Sequence, residues 1–217
     1  MVPECAESEV SESDIRTLIN DYFVYFGLKN VLDSFCRELR YSGAENQEYM
    51  VEERSRILDA VVRGDISGAI SMLDEVDPSV TRDREVGYCL YKQALLEIIR
   101  GRRETGEILR FAREKVAPLA KTEKEEYREL ERIMTLLLYE DYSESTEASL
   151  LDEERREKTA QVVNNALLRR LKKRDQALLV TLMKMLLWAQ NEMVENGSRV
   201  PGGEMLAESL SESHRRR

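Results

Sequence analysis

The apolar positions of this chain recur at helical spacing over most of its length. The first such segment places its apolar residues on one face of a helix: Ile15, Leu18, Ile19, Tyr22, Phe23 and Phe26. Ser13 or Asp14 is suited to cap this helix, and Gly27 is suited to end it. A second short helix follows with Val31, Leu32, Phe35, Cys36 and Leu39. The pattern therefore predicts a helical hairpin.

The same periodicity predicts further helices, separated by Gly, Pro and polar turns, at 50–62, 66–76, 82–100, 103–117, 121–139, 150–173 and 176–195. An acidic, serine-rich segment, 140–149, interrupts the series and is interpreted as a loop. We find no alternating strand pattern. The predicted fold class is all-α, a helical hairpin followed by a stack of antiparallel helices.

Two of these elements have more apolar surface than they can bury by themselves. A two-helix hairpin cannot bury both of its faces, so it must dock on the rest of the chain, on a second copy or on a partner. The helix at 176–195 is apolar nearly all round, which predicts that it is buried on several sides. This excess of apolar surface favours association as the function.

Composition narrows the class of partner. The net charge of −9 argues against a nucleic-acid ligand, because phosphate backbones repel an acidic surface. Three widely spaced Cys without a CxxC pair predict a reducing, intracellular compartment. The stretch from Ala177 to Gln190 contains Lys184 and falls short of the roughly 20 apolar residues that a bilayer span requires, so no membrane partner is expected. The first residues are acidic and show no signal-peptide pattern.

Residues suited to catalysis are scarce in the sequence. The only histidine is His214, in a tail expected to be disordered, and no glycine-rich phosphate loop is present. Paired carboxylates lie on helices rich in Arg and Lys, where solvated ion pairs are the simplest interpretation. We therefore expect no enzyme activity, no metal, no cofactor and no small-molecule substrate. The basic run from Arg169 to Arg174 either complements a helix C-terminus or forms a docking patch for an acidic partner, with nuclear import or nucleic-acid binding a more distant alternative.

The hairpin resembles a LisH motif, through the series Leu18-Ile19, Tyr22-Phe23, Gly27-Leu28 and Phe35. In that family the hairpin dimerises into a small helical bundle. Val31 and Leu32 stand where the family has small residues, so a homodimer and a pairing with a different partner both stay open.

The following segments are similar to the CTLH and CRA domains of the same family. The CTLH likeness rests on Arg54-x-x-Ile57, Gly64-Asp65-Ile66 and Leu90-x-x-Gln93-x-x-Leu96. The CRA likeness rests on Leu130-Glu131 and on the run from Leu186, Leu187 and Trp188 to Glu192. The resemblance implies LisH at 13–45, CTLH at 50–108 and CRA at 109–196, between disordered tails at 1–12 and 197–217.

Membership of the LisH–CTLH–CRA family implies a non-catalytic scaffold in a GID/CTLH-type E3 ubiquitin ligase of the cytoplasm and nucleus. It would bridge RING-bearing and Ran-binding-protein-M-like, SPRY-bearing subunits, and its last CRA helix would pack back on the hairpin. The alternative is a LisH-type dimerising adaptor in cytoskeletal or signalling complexes.

The candidate interface residues of the hairpin are Leu18, Ile19, Tyr22, Phe23 and Phe35. A second group belongs to an interface or to the core: Leu90, Gln93, Leu96, Leu186, Leu187 and Trp188.

Overall fold

The computed structural model describes residues 11–40, 49–120, 125–173 and 176–196, and these residues form helices and turns without a strand, which confirms the all-α prediction. The helices are α1 (Glu12–Phe26), α2 (Lys29–Glu38), α3 (Val51–Val62), α4 (Ile66–Val76), α5 (Pro78–Arg82), α6 (Arg84–Arg100), α7 (Thr105–Phe111), α8 (Glu125–Thr135), α9 (Glu154–Arg170) and α10 (Leu178–Glu195). They belong to two compact units. We call 1–51 with 174–217 the terminal unit, and 52–173 the central unit.

The terminal unit is built on the predicted hairpin. Its helix α1 begins earlier than expected because Ser11, rather than Ser13 or Asp14, is the cap. The backbone N–H of Asp14 donates to the Ser11 hydroxyl at 3.1 Å, and the Ser11 N–H donates back to the Asp14 carboxylate at 3.2 Å. At the other end Gly27 adopts a left-handed conformation, with φ 67°, and ends the helix as predicted.

A small core lies between the two hairpin helices and the residue that opens α3. It consists of Val24, Leu32 and Val51, all buried. Phe23 packs beside this core, and its ring meets that of Phe35 edge-on at 5.5 Å. The hairpin therefore has an apolar centre of its own, although a small one.

The last helix, α10, packs against α1, which is consistent with the predicted return of the final CRA helix to the hairpin. Its N-terminus is held by a residue distant in sequence: the backbone N–H of Leu178 donates to the carboxylate of Asp21 at 2.7 Å. The Asp21 contact satisfies a donor that the first turn of a helix otherwise leaves unpaired.

The central unit has two apolar clusters that share α6. The first joins α3, α4, α5, α6 and α9, and the second joins α6, α7, α8 and the turn before α9. One buried polar contact spans the first cluster, where the guanidinium of Arg54, 1% exposed, donates to the Asn164 amide oxygen at 2.6 Å. A buried guanidinium requires such an acceptor, so this pair fixes α3 on α9.

Several element boundaries of the central unit differ from the predictions. Pro78 follows the end of α4 and also begins the short helix α5. The side chain of Asp77 caps α5 by accepting from the backbone N–H of Ser79 at 2.8 Å. Helix α7 continues as a π-helical turn (Ala112–Val116), and α8 tightens into a 3-10 turn (Leu136–Leu138). Part of the expected loop 140–149 forms 3-10 turns, and α9 begins at Glu154 instead of residue 150.

Candidate protein-interaction surfaces

Helix α10 carries a row of exposed apolar side chains. They are Leu182, Met185, Leu186, Trp188 and Met193, and Trp188 is the most exposed of them, at 66%. The prediction that this helix is buried on several sides is therefore wrong for the chain by itself. Helix α10 is not buried on several sides because it packs on α1 along one side, which leaves its other apolar side in solvent. We call this row the α10 face.

The α10 face includes two of the last candidate residues, Leu186 and Trp188. Leu186 is 47% exposed and Leu187 is half-buried, so with Trp188 they do not form a core within this chain. Their role as interface residues stays a prediction. Three further apolar residues of the terminal unit, Ile15, Leu28 and Val31, are also exposed.

The hairpin candidates divide into two environments. Phe23 and Phe35 pack on each other, while Leu18 and Ile19 are half-buried. Tyr22 is also half-buried and stacks on Phe26, with the ring centroids 4.7 Å apart. The interface role of all five candidates stays a prediction, and the ring contacts show that Phe23 and Phe35 also have a structural role.

Leu90, Gln93 and Leu96 belong to the interior of the central unit. Each is 1% exposed: Leu90 lies in the first cluster and Leu96 in the second. The buried Gln93 amide donates to the Glu97 carboxylate at 2.8 Å. Of the two alternatives for these residues, core and interface, the structure favours the core.

The central unit has an apolar groove along the outer face of α8, with a volume of about 400 Å³. We call it the α8 groove, and it is lined by Tyr127, Leu130, Glu131, Met134, Thr135 and Leu138. Leu138 is 82% exposed, whereas Leu130 and Ile133 of α8 are buried. The 3-10 turn at the end of α8 changes the rotation per residue, so Leu136 points inward and Leu138 outward.

Two carboxylates of the central unit, those of Glu97 and Glu129, form ion pairs with more than one cation. The Glu97 carboxylate accepts from Arg156 at 2.6 Å and from Arg100 at 2.9 Å. Glu129 accepts from Lys92 at 2.8 Å and from Arg155 at 3.1 Å. Burial alone would raise the pKa of both carboxyls, but the hydrogen bonds and charges of these partners outweigh it, so each pKa lies below its usual value. Both groups are therefore held ionised as structural anions.

Two further properties concern the residues that the structure describes. Within them, no helix has the length and apolar character needed to cross a bilayer. Nor do these residues bring three or more His, Cys, Asp or Glu side chains together in a group that could hold a metal ion.

Comparison with known proteins gives consistent matches. Residues 50–194 match the family described as the CTLH/CRA C-terminal to LisH motif domain. The chain is 30% identical over 189 residues to a protein of Dictyostelium discoideum named Glucose-induced degradation protein 8 homolog, which covers 87% of this chain and 82% of that protein. It is 31% identical over 190 residues to the Protein GID8 homolog of Arabidopsis thaliana, with 86% and 76% covered. The GID complex subunit 8 of Schizosaccharomyces pombe is 28% identical over 201 residues, with 88% and 83% covered.

Proposed function

Since the chain belongs to the family of GID8 homologues that carry the CTLH/CRA domain, we propose that it is a non-catalytic scaffold subunit of a GID/CTLH-type E3 ubiquitin ligase. Its partners would be sister subunits of the LisH–CTLH–CRA type, RING-bearing on one side and Ran-binding-protein-M-like on the other. A relative named as a GID complex subunit supports membership of such a complex. The ion-paired state of Glu97 and Glu129 supports a structural role for these carboxylates rather than acid–base chemistry.

The observation that carries this proposal is the α10 face. Large apolar patches on the surface of a soluble protein mark interaction sites, and Trp is among the residue types enriched in the centres that dominate binding energy. Trp188 and Leu186 lie on a helix that α1 supports and that Asp21 holds at its first turn. The face is therefore presented on a fixed element, which lowers the conformational entropy lost on binding. We propose that the α10 face binds a sister subunit that carries a LisH hairpin of its own.

The α8 groove supports the bridging part of the proposal. It lies in the central unit, whereas the α10 face lies in the terminal unit, so the two surfaces belong to different compact bodies. Leu138 and Tyr127 expose apolar area there. A protein with two such surfaces can hold two partners at once, which is what a bridging subunit requires. We assign the groove to a second sister subunit.

The test is affinity purification of tagged full-length variants from cells, with partners identified and quantified by mass spectrometry. The double variant Leu186→Asp with Trp188→Asp is expected to lose one set of sister subunits and to keep the other. Leu138→Asp is expected to show the reverse selectivity. Since all three residues are exposed, circular dichroism should show that each variant stays folded.

The proposal fails if both variants recover every partner in unchanged stoichiometry. It also fails if the unmodified protein recovers cytoskeletal or signalling proteins instead of RING-bearing CTLH proteins, which would favour a dimerising adaptor outside ubiquitin ligation. We further propose that the protein resides in the cytoplasm and nucleus, and imaging of a fluorescently tagged full-length chain tests this location.

A further inference from the structure

A second pocket of the central unit differs from the α8 groove in its chemistry. It lies between the N-terminal end of α6 and the C-terminal part of α9, with a volume of about 330 Å³. Its apolar lining is aliphatic and comes from three helices: Val80, Val86, Val162 and Ala166. Val80 and Val86 are buried in the first apolar cluster, so the half-buried Val162 and Ala166 supply the aliphatic surface that a ligand can reach. This volume lies at the lower end of the range for ligand pockets, so it suits one or two residues of an extended chain rather than a helix.

Charges of opposite sign line the same pocket. Asp83 and Glu85 come from the start of α6, and Arg169 and Arg170 come from the end of α9. Asp83 uses its carboxylate to cap α6, where it accepts from the backbone N–H of Glu85 at 3.0 Å and of Val86 at 3.3 Å. The four charged side chains form no ion pair with one another.

The two guanidinium groups are available for a ligand. Arg169 and Arg170 are exposed, and neither forms an ion pair or a side-chain hydrogen bond with another described residue. Hydrogen bonds from Ser79 chiefly lower the pKa of Asp77, and the charge of Arg170 adds to this effect at longer range. In contrast, Arg155 and Arg156, on the same helix, are both held by glutamates.

Helix ends explain part of this arrangement. Acids favour a helix N-terminus and cations favour a C-terminus, so each pair complements its own helix. That explanation accounts for the charges but not for Val162 and Ala166, which are aliphatic and only partly buried between them. A ligand that matches all three features has one carboxylate for the arginines, an aliphatic side chain for Val162 and Ala166, and a cation for the acids.

We propose that this pocket binds the C-terminus of a partner polypeptide that ends in an aliphatic residue preceded by a basic one. A terminal carboxylate suits paired guanidinium groups because it can accept two parallel hydrogen bonds. An acidic run within a chain fits less well, since its additional charges would face Asp83 and Glu85. The inference assigns a further binding site to the scaffold and does not depend on which sister subunits bind elsewhere.

The experiment uses the full-length protein and fluorescently labelled peptides of sequence Gly-Ser-Gly-Ser-Lys-Leu, with binding followed by fluorescence anisotropy. The probes are the free acid, its C-terminal amide, and a free acid that ends in Ser. We expect saturable binding of the Leu free acid, and affinity about tenfold or more weaker for the amide and for the Ser peptide. The double variant Arg169→Gln with Arg170→Gln should bind the Leu free acid more weakly than the unmodified protein does, by a similar factor.

A matched control comes from two other exposed arginines of the central unit without a described partner, Arg110 and Arg113. The double variant Arg110→Gln with Arg113→Gln changes the net charge equally and should leave binding unchanged. The proposal is overturned if the Leu free acid shows no saturation up to about 1 mM. It is also overturned if the amide or the Ser peptide binds as tightly, or if the two double variants behave alike.

Discussion

The carboxylate of Glu97 links two helices of the central unit, α6 and α9. It accepts from Gln93 and Arg100 on its own helix, α6, and from Arg156 on α9 through two nitrogens, at 2.8 and 2.6 Å. The side chains of Glu97 and Arg156 are each only 15% exposed. The perturbation that isolates this contact is Glu97→Gln, which keeps the size of the side chain and removes its charge.

The expected cost follows from what the substitution leaves behind. Removing one partner of a fully buried ion pair costs about 3–5 kcal/mol because the remaining charge is uncompensated, whereas an exposed pair contributes about 0–1 kcal/mol. The Glu97–Arg156 pair keeps some solvent contact, so we expect a loss of about 2–3 kcal/mol in the free energy of unfolding. For a chain of this size the corresponding drop in Tm is about 5–10 °C.

The assay is urea unfolding of the full-length protein, followed by circular dichroism at neutral and acidic pH. The control is Arg132→Gln, which breaks an ion pair of similar length to Glu147 but at an arginine that is 53% exposed. We expect this control to lose far less stability than Glu97→Gln. Comparable losses would contradict the reasoning, because they would show that burial does not set the energy of these pairs.

The pH dependence of the free energy of unfolding tests independently whether ionised Glu97 stabilises the fold. The pKa of Glu97 lies below its usual value of 4.5, so its ionised form stabilises the fold above the unfolded pKa. That stabilisation is lost as the pH falls through the lower, folded pKa. The difference between the unmodified protein and Glu97→Gln should therefore shrink below about pH 4.5. A difference that grows towards acidic pH would refute the assignment.

The remaining predictions concern other features of the fold. Asp21→Ala removes the cap of α10 and should cost about 1 kcal/mol, seen as faster amide exchange in the first turn of α10 but not in α6; equal changes in both would contradict it. Gly64→Ala should lose about 1–2 kcal/mol in urea unfolding, since φ is +83° and a Cβ would lie 2.8 Å from the Arg156 guanidinium; a neutral effect would contradict this strain. Leu136→Ala, at a fully buried position, should cost about 2–5 kcal/mol, while the exposed Leu138→Ala stays within about 0.5 kcal/mol; similar losses would place Leu138 in the core.

Local pattern was sufficient to predict most helices of this protein. The apolar spacing from Ile15 to Phe26 and the glycine after it predict α1, because both signals act within one or two turns. Pro78 shows where such signals become ambiguous, since a proline that ends one helix also suits the first position of the next. The cap of α10 was not predictable locally, because Asp21 lies 157 residues from Leu178 in sequence.

The candidate surfaces were predictable only in part. Leu186 and Trp188 were identified as core or interface residues, because periodicity shows that a side is apolar but not what covers it. The outward position of Leu138 was not predictable, because the tightening of α8 into a 3-10 turn has no clear sequence signal. The pocket between α6 and α9 needs residues that are about 80 positions apart, and only the folded chain brings Asp83 and Arg169 to one place.

The distance in sequence between Asp21 and Leu178 also has a consequence during protein synthesis. At about 5–20 residues per second, the ribosome needs roughly 10–30 s after releasing α1 to deliver the helix that covers it. Throughout this interval the nascent hairpin exposes apolar area, and the first cluster of the central unit is completed only when α9 emerges, shortly before α10. Neighbouring nascent chains on one messenger RNA could exchange α10, each covering the hairpin of the other. Binding of a chaperone to the hairpin during translation is expected to limit this domain swapping.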